Sequence, residues 1–219
     1  MSLKTKEEIE IVGRERLTPA IDIAKKFVSK KDSRPALQHI ALMANGDLQA
    51  TDSHVAIILK DIHGYKDEIL LNPKTLDLVR GYNFPDISRI ASVKEDHVKA
   101  EITLNRLYIQ SLIDALRFFK PQKGLINSVK IVITEEKILF EQFLTKIEVK
   151  NSECWSLKVV SEEPIKISFN PKLLIDCLES YVKFSDSETI TAYYHGSMRP
   201  LVFENNEMLM CALPLRTYE

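Results

Sequence analysis

The sequence predicts an α+β fold of two domains, each with two helices packed on antiparallel sheets. The segment Leu71-Asn72-Pro73-Lys74-Thr75-Leu76 returns 98 residues later as Phe169-Asn170-Pro171-Lys172-Leu173-Leu174. A repeat of this period in a chain of 219 residues is typical of two copies of one domain, although two similar helix starts also arise by chance. Helical and strand-like stretches recur in the same order around both copies, and short turns join the strands, as in α+β proteins.

Four stretches have the apolar spacing of helices. The first begins at Thr18-Pro19, and the third runs from about Asn105 to Lys120. In both copies of the repeat, Asn is placed to cap a helix whose first residue is proline. These copies predict the second helix over Pro73–Arg80 and the fourth from Pro171 to about Val182. Gly81 suits the position just past the end of the second helix.

Strand-like runs lie between the predicted helices. Asn45-Gly46, the strongest two-residue hairpin signal, joins Leu37–Met43 to Asp47–Ala50. A domain boundary is expected near Ser92–Ala100, which divides the chain into residues 1–98 and 99–219. The second domain contains five further runs: Val129–Thr134, Lys137–Phe143, Thr189–Tyr194, Leu201–Glu204 and Met208–Leu213.

The composition is that of an ordinary soluble protein, with 45% hydrophobic and 28% charged residues. No apolar run approaches the roughly 20 residues that span a bilayer. The first ten residues are charged and lack the apolar core of a signal peptide. Cys154, Cys177 and Cys211 have no metal-ligand spacing. We therefore expect a cytoplasmic protein with reduced thiols and no membrane partner.

Charge is distributed unevenly along the chain. The predicted helical segments (17–32, 72–81, 104–123 and 171–183) hold twelve Lys and Arg against six Asp and Glu, whereas the remainder holds eighteen against twenty-five. If the helices share one face, that face is positive and attracts the phosphate backbone of duplex DNA without reading its sequence. Lysine is also common on solvated faces. The candidates for phosphate contact are Lys25, Lys26, Lys30, Arg106, Arg117 and Lys120.

Four separated segments carry a family resemblance. They are Ala50-Thr51-Asp52-Ser53-His54-Val55-Ala56, Phe84-Pro85-Asp86-Ile87-Ser88-Arg89-Ile90, Ile167-Ser168-Phe169-Asn170 and Cys211-Ala212-Leu213-Pro214-Leu215-Arg216. They resemble the bacterial DNA polymerase III beta sliding clamp, whose versions read roughly A-T-D-G-H-R-L-A, F-P-D-Y-R-R-V, I-G-F-N and V-M-P-M-R-L. The match is to the second and third domains of a three-domain subunit, and its first domain has no counterpart here.

The resemblance implies the DNA-clamp fold and a processivity factor that does no chemistry. In that family, helices line a ring around DNA, strands form the outer wall, and an apolar groove binds short motifs of polymerases, clamp loaders and repair factors. Independently, an apolar chain end closed by Arg suits a pocket rim, although core packing of a last strand explains it equally well. The groove would include Thr51, His54, Val55, Pro85, Arg89, Ile90, Leu213, Pro214, Leu215 and Arg216.

The chain departs from the family pattern inside these segments. Val55 stands where the family usually has Arg, Ser53 replaces Gly, and Ile87-Ser88 replace Tyr-Arg. Residues Thr217–Glu219 extend past the usual end and could shade the groove. We therefore expect partner preferences that differ from those of a housekeeping clamp.

The main alternatives concern catalysis and assembly. Asp52 and His54 share a face if they lie on a strand, but no nucleophile or Gly-rich phosphate loop accompanies them, so no catalytic residue, metal or cofactor is predicted. Three copies of a two-domain chain would restore the six domains of a clamp ring, which favours a homotrimer. The alternative is a monomeric scaffold or a competitor for clamp-binding motifs. Ring closure needs edge strands, and the candidates lie near Ile58–Asp61 and Lys146–Lys150.

Overall fold

The computed structural model describes residues 15–81, 83–91, 98–121, 126–150, 155–161 and 163–216. Four α-helices and fourteen strands lie in this part of the chain. The helices are α1 (Leu17–Ala24), α2 (Ile87–Ala91), α3 (Arg106–Arg117) and α4 (Pro171–Phe184). The strands of the N-terminal half are β1 (Ile40–Leu42), β2 (Leu48–Thr51), β3 (Val55–Leu59), β4 (Ile69–Leu71) and β5 (Leu78–Val79). Those of the C-terminal half are β6 (Ala100–Asn105), β7 (Val129–Ile133), β8 (Lys137–Gln142), β9 (Thr145–Lys150), β10 (Trp155–Val159), β11 (Ile165–Phe169), β12 (Thr189–Tyr194), β13 (Leu201–Glu204) and β14 (Met208–Ala212).

These strands form two antiparallel sheets, which confirms the α+β prediction. The larger sheet has ten strands in the order β10-β6-β12-β13-β14-β3-β2-β1-β4-β5, and the smaller has the order β11-β7-β8-β9. Helix α4 packs against both α1 and α3, so the three longer helices lie side by side. One apolar core, which includes Phe27, Ile57, Phe169 and Tyr181, extends through both halves.

The two halves share the larger sheet. Strand β14 at the end of the chain pairs with β3 of the N-terminal half, from Met208 opposite Leu59 to Ala212 opposite Val55. Ile58, near which one edge strand was predicted, is therefore internal, because β3 is hydrogen-bonded to β2 on its other side. The second candidate, Lys146–Lys150, belongs to β9, which pairs with β8 and is last in the smaller sheet. The expected domain boundary falls partly on residues 92–97, which lie outside the described residues.

The predicted helix over Pro73–Arg80 is wrong. The Asn72 side chain does accept the backbone N–H of Lys74 at 2.9 Å, as a helix cap would. However, Leu76 adopts a φ of 64°, and the chain folds back so that the Asn72 N–H donates to the Asp77 carbonyl at 2.8 Å. Within residues 15–81 and 83–91, the N-terminal half therefore contains α1 and α2 as its α-helices, and none over 73–80.

The second copy of the repeat forms the helix that the first copy does not. The Asn170 side chain accepts the N–H of Lys172 at 3.0 Å, and α4 continues for 14 residues. The predicted start of α3 is also confirmed, because the Asn105 side chain accepts the N–H of Leu107 at 3.0 Å. Helix α1 is shorter than predicted: Phe27 is buried in the turns that follow it.

The two halves differ in their number of repeating units. In the C-terminal half, a strand, a helix and three strands follow one another twice, as β6-α3-β7-β8-β9 and as β11-α4-β12-β13-β14. In the N-terminal half, the described residues contain one such helix with its three strands, α1-β1-β2-β3, followed by β4 and β5. The described residues thus present three helix-and-strand units, whereas two complete domains would have four.

Candidate functional site

A tight turn joins β2 to β3 where the two halves meet. The Asp52 carboxylate accepts the backbone N–H groups of His54 at 2.7 Å and of Val55 at 3.0 Å. The Thr51 hydroxyl donates to the Val55 carbonyl at 2.8 Å, and Ser53 has a φ of 80°. This left-handed position favours glycine, the residue of the clamp family there. The turn leaves His54 exposed and buries Val55.

The C-terminal segment connects this turn to the smaller sheet. The Leu213 N–H donates to the His54 carbonyl at 2.8 Å, and the Leu215 N–H donates to the Ser168 carbonyl at 2.7 Å. Ser168 lies on β11, so the last described residues run from the N-terminal half to the second sheet of the C-terminal half. These backbone bonds fix the position of Leu213 beside the turn.

The segment around α2 covers the outer face of the larger sheet at the junction. Ile87 is buried against a second apolar cluster, and Phe84 packs at its edge. The Ser88 hydroxyl hydrogen-bonds to the carboxylate of Asp86 and lowers the pKa of that exposed group. The strand residues beneath α2 come from both halves: Ala56, Ile58, Val202, Leu209 and Cys211.

A pocket of about 290 Å³ lies among these three segments. Five predicted groove residues line it, namely Thr51, His54, Val55, Pro85 and Leu213. Arg89, Pro214, Leu215 and Arg216 are outside the lining, and the side chain of Ile90 lies outside the described residues. The lining is mainly apolar, so the pocket suits aliphatic or aromatic side chains of a short peptide.

Sequence reasoning missed six lining residues: Arg34, Leu37, Ser53, Ala56, Ile87 and Cys211. The Arg34 guanidinium donates to the Ser53 hydroxyl at the rim. Cys211 forms part of the wall because β14 places it opposite Ala56 of β3, and burial raises the pKa of its thiol to about 12. Four of the six (Ser53, Ala56, Ile87 and Cys211) lie inside the quoted motifs, and the motifs were the signal that could have identified them. Arg34 and Leu37 have none, since folding alone brings them to the pocket.

The side-by-side helices place two of the predicted DNA-facing cations on one acidic side chain. The Glu179 carboxylate on α4 accepts from the Lys26 ammonium at 2.7 Å and from the Arg117 guanidinium at 2.9 Å. The bond from Lys26, and then the bond from Arg117, lower the pKa of Glu179 despite the opposing effect of burial. The positive charge of the helical face is therefore partly neutralised.

The other four predicted cations have different surroundings. Lys25 pairs with Asp22 at 2.8 Å on α1. The Arg106 guanidinium donates to the backbone carbonyls of Ser185 and, at 2.6 Å, of Val182, and so caps the C-terminal end of α4. Its geometry indicates a structural contact, whereas Lys30 and Lys120 are exposed.

Asp52 binds the backbone N–H of His54, not its ring, so the suspected dyad is a turn contact. Across the described ranges, no group of three or more His, Cys, Asp and Glu side chains could hold a metal ion. Nor does that part of the chain contain a helix long and apolar enough to cross a membrane.

No protein-family model and no curated protein matches this chain. Solved structures do. The DNA polymerase sliding clamp of Bacillus subtilis aligns with 100% of this chain and 67% of its own, at 20% identity and a TM-score of 0.73. The chain has the sliding-clamp fold. The beta subunit of Streptococcus pyogenes DNA polymerase covers 99% of the chain (68% of its own) at 21% identity and a TM-score of 0.70.

A clamp subunit of lower sequence identity has the same TM-score as the Bacillus subtilis clamp. DNA polymerase III subunit beta from Borrelia burgdorferi, solved with a natural product, covers 100% of this chain and 67% of its own at 10% identity, with a TM-score of 0.73. The resemblance predicted from the four motifs is thus confirmed for the fold. The chain spans about two-thirds of the length of each of these clamps.

Proposed function

We propose that this protein is a sliding clamp, a replicase processivity factor that encircles duplex DNA and binds partner proteins through short motifs. The observation that carries the proposal is the pocket at the junction of the halves. Its walls come from three segments far apart in the chain, represented by His54, Pro85 and Leu213, in a fold shared with polymerase clamps. The proposal implies a cytoplasmic protein without catalytic residues or cofactors, whose partners include a polymerase and a clamp loader.

The pocket supports peptide binding through its size and its rim. A volume of about 290 Å³ fits one or two apolar side chains, which supply most of the affinity in such interfaces. The polar groups at the rim, His54 and Arg34, can fix the direction of the peptide. Arg89 and Arg216 stay in the proposed groove as outer contacts, beyond the pocket itself.

The helical face supports weak, non-specific contact with DNA. Lys30 and Lys120 are exposed, whereas Lys26 and Arg117 both form ion pairs with Glu179. A clamp that slides needs phosphate contacts of this kind, which attract DNA without holding one sequence. We therefore expect retention by encirclement to dominate over direct affinity.

The proposed assembly is a head-to-tail homo-oligomer, with the predicted homotrimer as the first case to test. Three copies of the three helix-and-strand units seen in the described ranges bring nine units, whereas six complete two-unit domains bring twelve. This difference favours examining the second candidate function as well. In that alternative, a non-encircling monomer uses the same pocket as a scaffold or as a competitor for clamp-binding motifs.

The pocket is tested with single substitutions of two neighbouring leucines. Leu213 lines the pocket, whereas Leu215 is outside its lining, and both are held by backbone bonds that Ala keeps. We expect Leu213→Ala to weaken binding of a fluorescein-labelled peptide carrying a Leu-Phe pair by about tenfold, because a pocket contact is lost. Leu215→Ala should change it by less than about threefold. Fluorescence anisotropy gives the affinity, and circular dichroism checks that both variants fold. If both variants lose peptide affinity equally, or if neither loses it, the pocket is not the peptide-binding site.

The DNA-facing surface is tested by the salt dependence of binding. Log affinity for DNA falls as log salt rises, and each phosphate contact contributes about 0.9 to the steepness of that fall. The double variant Lys30→Gln with Lys120→Gln should therefore make the fall less steep by about 2. Lys158→Gln with Lys166→Gln is the matched control, because both lysines are exposed on strands. A slope that falls equally in both double variants would contradict a helical DNA-facing surface.

A further inference from the structure

The C-terminal half encloses an apolar cavity of about 340 Å³. Strands β6, β12 and β13 of the larger sheet, all four strands of the smaller sheet, and helices α3 and α4 contribute its walls. Native interiors hold few voids larger than a water molecule, because an empty cavity destabilises a core in proportion to its volume. A small molecule that fills this space is therefore favoured.

The cavity opens to solvent between α3 and β9. Most of its lining is buried, and the lining residues with solvent exposure belong to these two elements. They are Tyr108, Ser111, Leu112, Ala115, Ile147 and Val149. A small molecule can therefore enter between the helix and the strand and reach the space between the two sheets.

The lining suits an uncharged ligand. No Lys, Arg, His, Asp or Glu among the described residues lines the cavity. On β9, Glu148 lies between the lining residues Ile147 and Val149 and pairs with Lys137 at 2.7 Å, outside the lining. A charged group in the cavity would lose its hydration without gaining a partner of opposite charge, which is unfavourable.

The volume sets the size of the ligand. An apolar cavity of about 150 Å³ in another protein stays free of water and binds benzene. This cavity has about twice that volume, so it has room for two fused aromatic rings or an alkyl chain of similar volume.

Tyr194 supplies one polar group to this apolar space. It lies on β12, is 4% exposed and lines the cavity. Burial raises the pKa of its phenol, and its hydroxyl makes no hydrogen bond to the described residues. By contrast, the hydroxyl of Tyr181, which is also buried, donates to the Ser187 carbonyl at 2.5 Å. Since a buried tyrosine usually has a hydrogen-bond partner, Tyr194 is available to an oxygen atom of a ligand.

We propose that this cavity binds an uncharged apolar molecule of about the size of naphthalene, with one oxygen atom that accepts a hydrogen bond from Tyr194. Aromatic ketones and medium-chain ketones have this chemistry. The cavity and the peptide pocket have no lining residue in common, so this site does not depend on the clamp function.

The first experiment compares two probes on the full chain by isothermal titration calorimetry at neutral pH. Methyl naphthyl ketone is uncharged and carries a carbonyl, whereas naphthoate has the same rings and a carboxylate. The ketone should bind with a dissociation constant below about 100 μM. Naphthoate should bind at least about tenfold more weakly, because its charge would have to be desolvated.

Three variants test whether the ketone occupies the cavity. Tyr194→Phe keeps the ring and removes the hydroxyl, so affinity for the ketone should fall about threefold to tenfold while naphthalene itself binds unchanged. Ala192→Leu on β12 and Ala115→Leu on α3 fill part of the cavity and should each weaken the ketone at least about tenfold. The matched control, Gln110→Leu, places the same side chain at an exposed position of α3 outside the lining and should leave the affinity unchanged. Circular dichroism checks folding, and Ala115→Leu at the half-buried mouth decides if Ala192→Leu does not fold.

The contrary results are equally definite. A ketone that does not bind the parent chain overturns the proposal, as does naphthoate that binds equally well. If the filled variants keep full affinity, or if Gln110→Leu loses as much as Ala115→Leu, the probe binds elsewhere. Unchanged ketone affinity in Tyr194→Phe would refute the hydrogen bond and with it the proposed class of ligand.

Discussion

Glu179→Gln is expected to lower stability and to raise DNA affinity at the same time. The carboxylate, whose side chain is 22% exposed, joins α4 to Lys26 at 2.7 Å and to Arg117 at 2.9 Å. The pair with Lys26 is the less exposed of the two, and partly exposed ion pairs contribute up to about 1 kcal/mol, so we expect a loss of about 1 kcal/mol. At about 2–4 °C per kcal/mol for a chain of this size, the midpoint of thermal unfolding falls by roughly 2–4 °C.

The pH dependence of this loss has a definite sign. Lys26 first, and then Arg117, hold the pKa of Glu179 below its ordinary value of 4.5. A carboxylate with a depressed folded pKa stabilises the protein fully above its unfolded pKa, and this contribution disappears as the pH falls through the folded value. The variant and the parent should therefore differ at neutral pH and converge in acid.

Removing one negative charge leaves Lys26 available to phosphate, whereas Arg117 keeps its pair with Asp114 at 2.8 Å. DNA affinity at low salt should rise, with a steeper salt dependence. Calorimetry and fluorescence anisotropy measure the two effects, and Glu135→Gln, an exposed turn residue, is the control for charge alone. An unchanged unfolding midpoint would refute the network, and unchanged DNA affinity would refute its position on the DNA-facing surface.

Three further predictions concern stability and reactivity. Gly46→Ala should lower the free energy of unfolding in urea by about 2–3 kcal/mol, because the added Cβ would lie 2.9 Å from a backbone carbonyl oxygen and Gly46 has a φ of 93°. Gly81 has a similar φ of 97° but open space around it, so Gly81→Ala should lower the free energy of unfolding by about 1 kcal/mol. Equal losses in the two variants would contradict the close approach at Gly46. Arg106→Met should lose about 1–2 kcal/mol through the uncapped end of α4, and an unchanged urea midpoint would refute that contact. Burial raises the pKa of Cys177 and Cys211, so iodoacetamide at about pH 8 should label them only after unfolding. Peptide mass spectrometry separates them from Cys154, and labelling at either residue in the native protein would contradict their burial.

Sequence patterns predict a helix correctly where a local feature, such as an Asn cap, is followed by apolar residues that pack in the core. The Asn105 and Asn170 caps begin helices because apolar residues at helical spacing follow them and find the core. The Asn72 cap has the same local chemistry, yet Leu76 ends the turn at positive φ. Whether a capped turn grows into a helix depends on a surface to pack against, which short sequence segments do not reveal.

The candidate site shows the same limit. Motif positions led to His54, Pro85 and Leu213, which the pocket brings together. Arg34 reaches the pocket only because the chain folds back beside the turn at Ser53. Counting charges along the helices also could not show that Glu179, one of the six counted acidic residues, pairs with Lys26 in the turn after α1 and with Arg117 of α3. Pairings between distant elements decide both features.

Encirclement is tested most directly by threading the protein onto linear DNA with biotin at both ends. Protein added before streptavidin blocks the ends should stay on the DNA during gel filtration at moderate salt, whereas protein added after the ends are blocked should not. Retention in the first order of addition alone is the result that a ring predicts. Retention in both orders, or in neither, would contradict a clamp that encloses DNA.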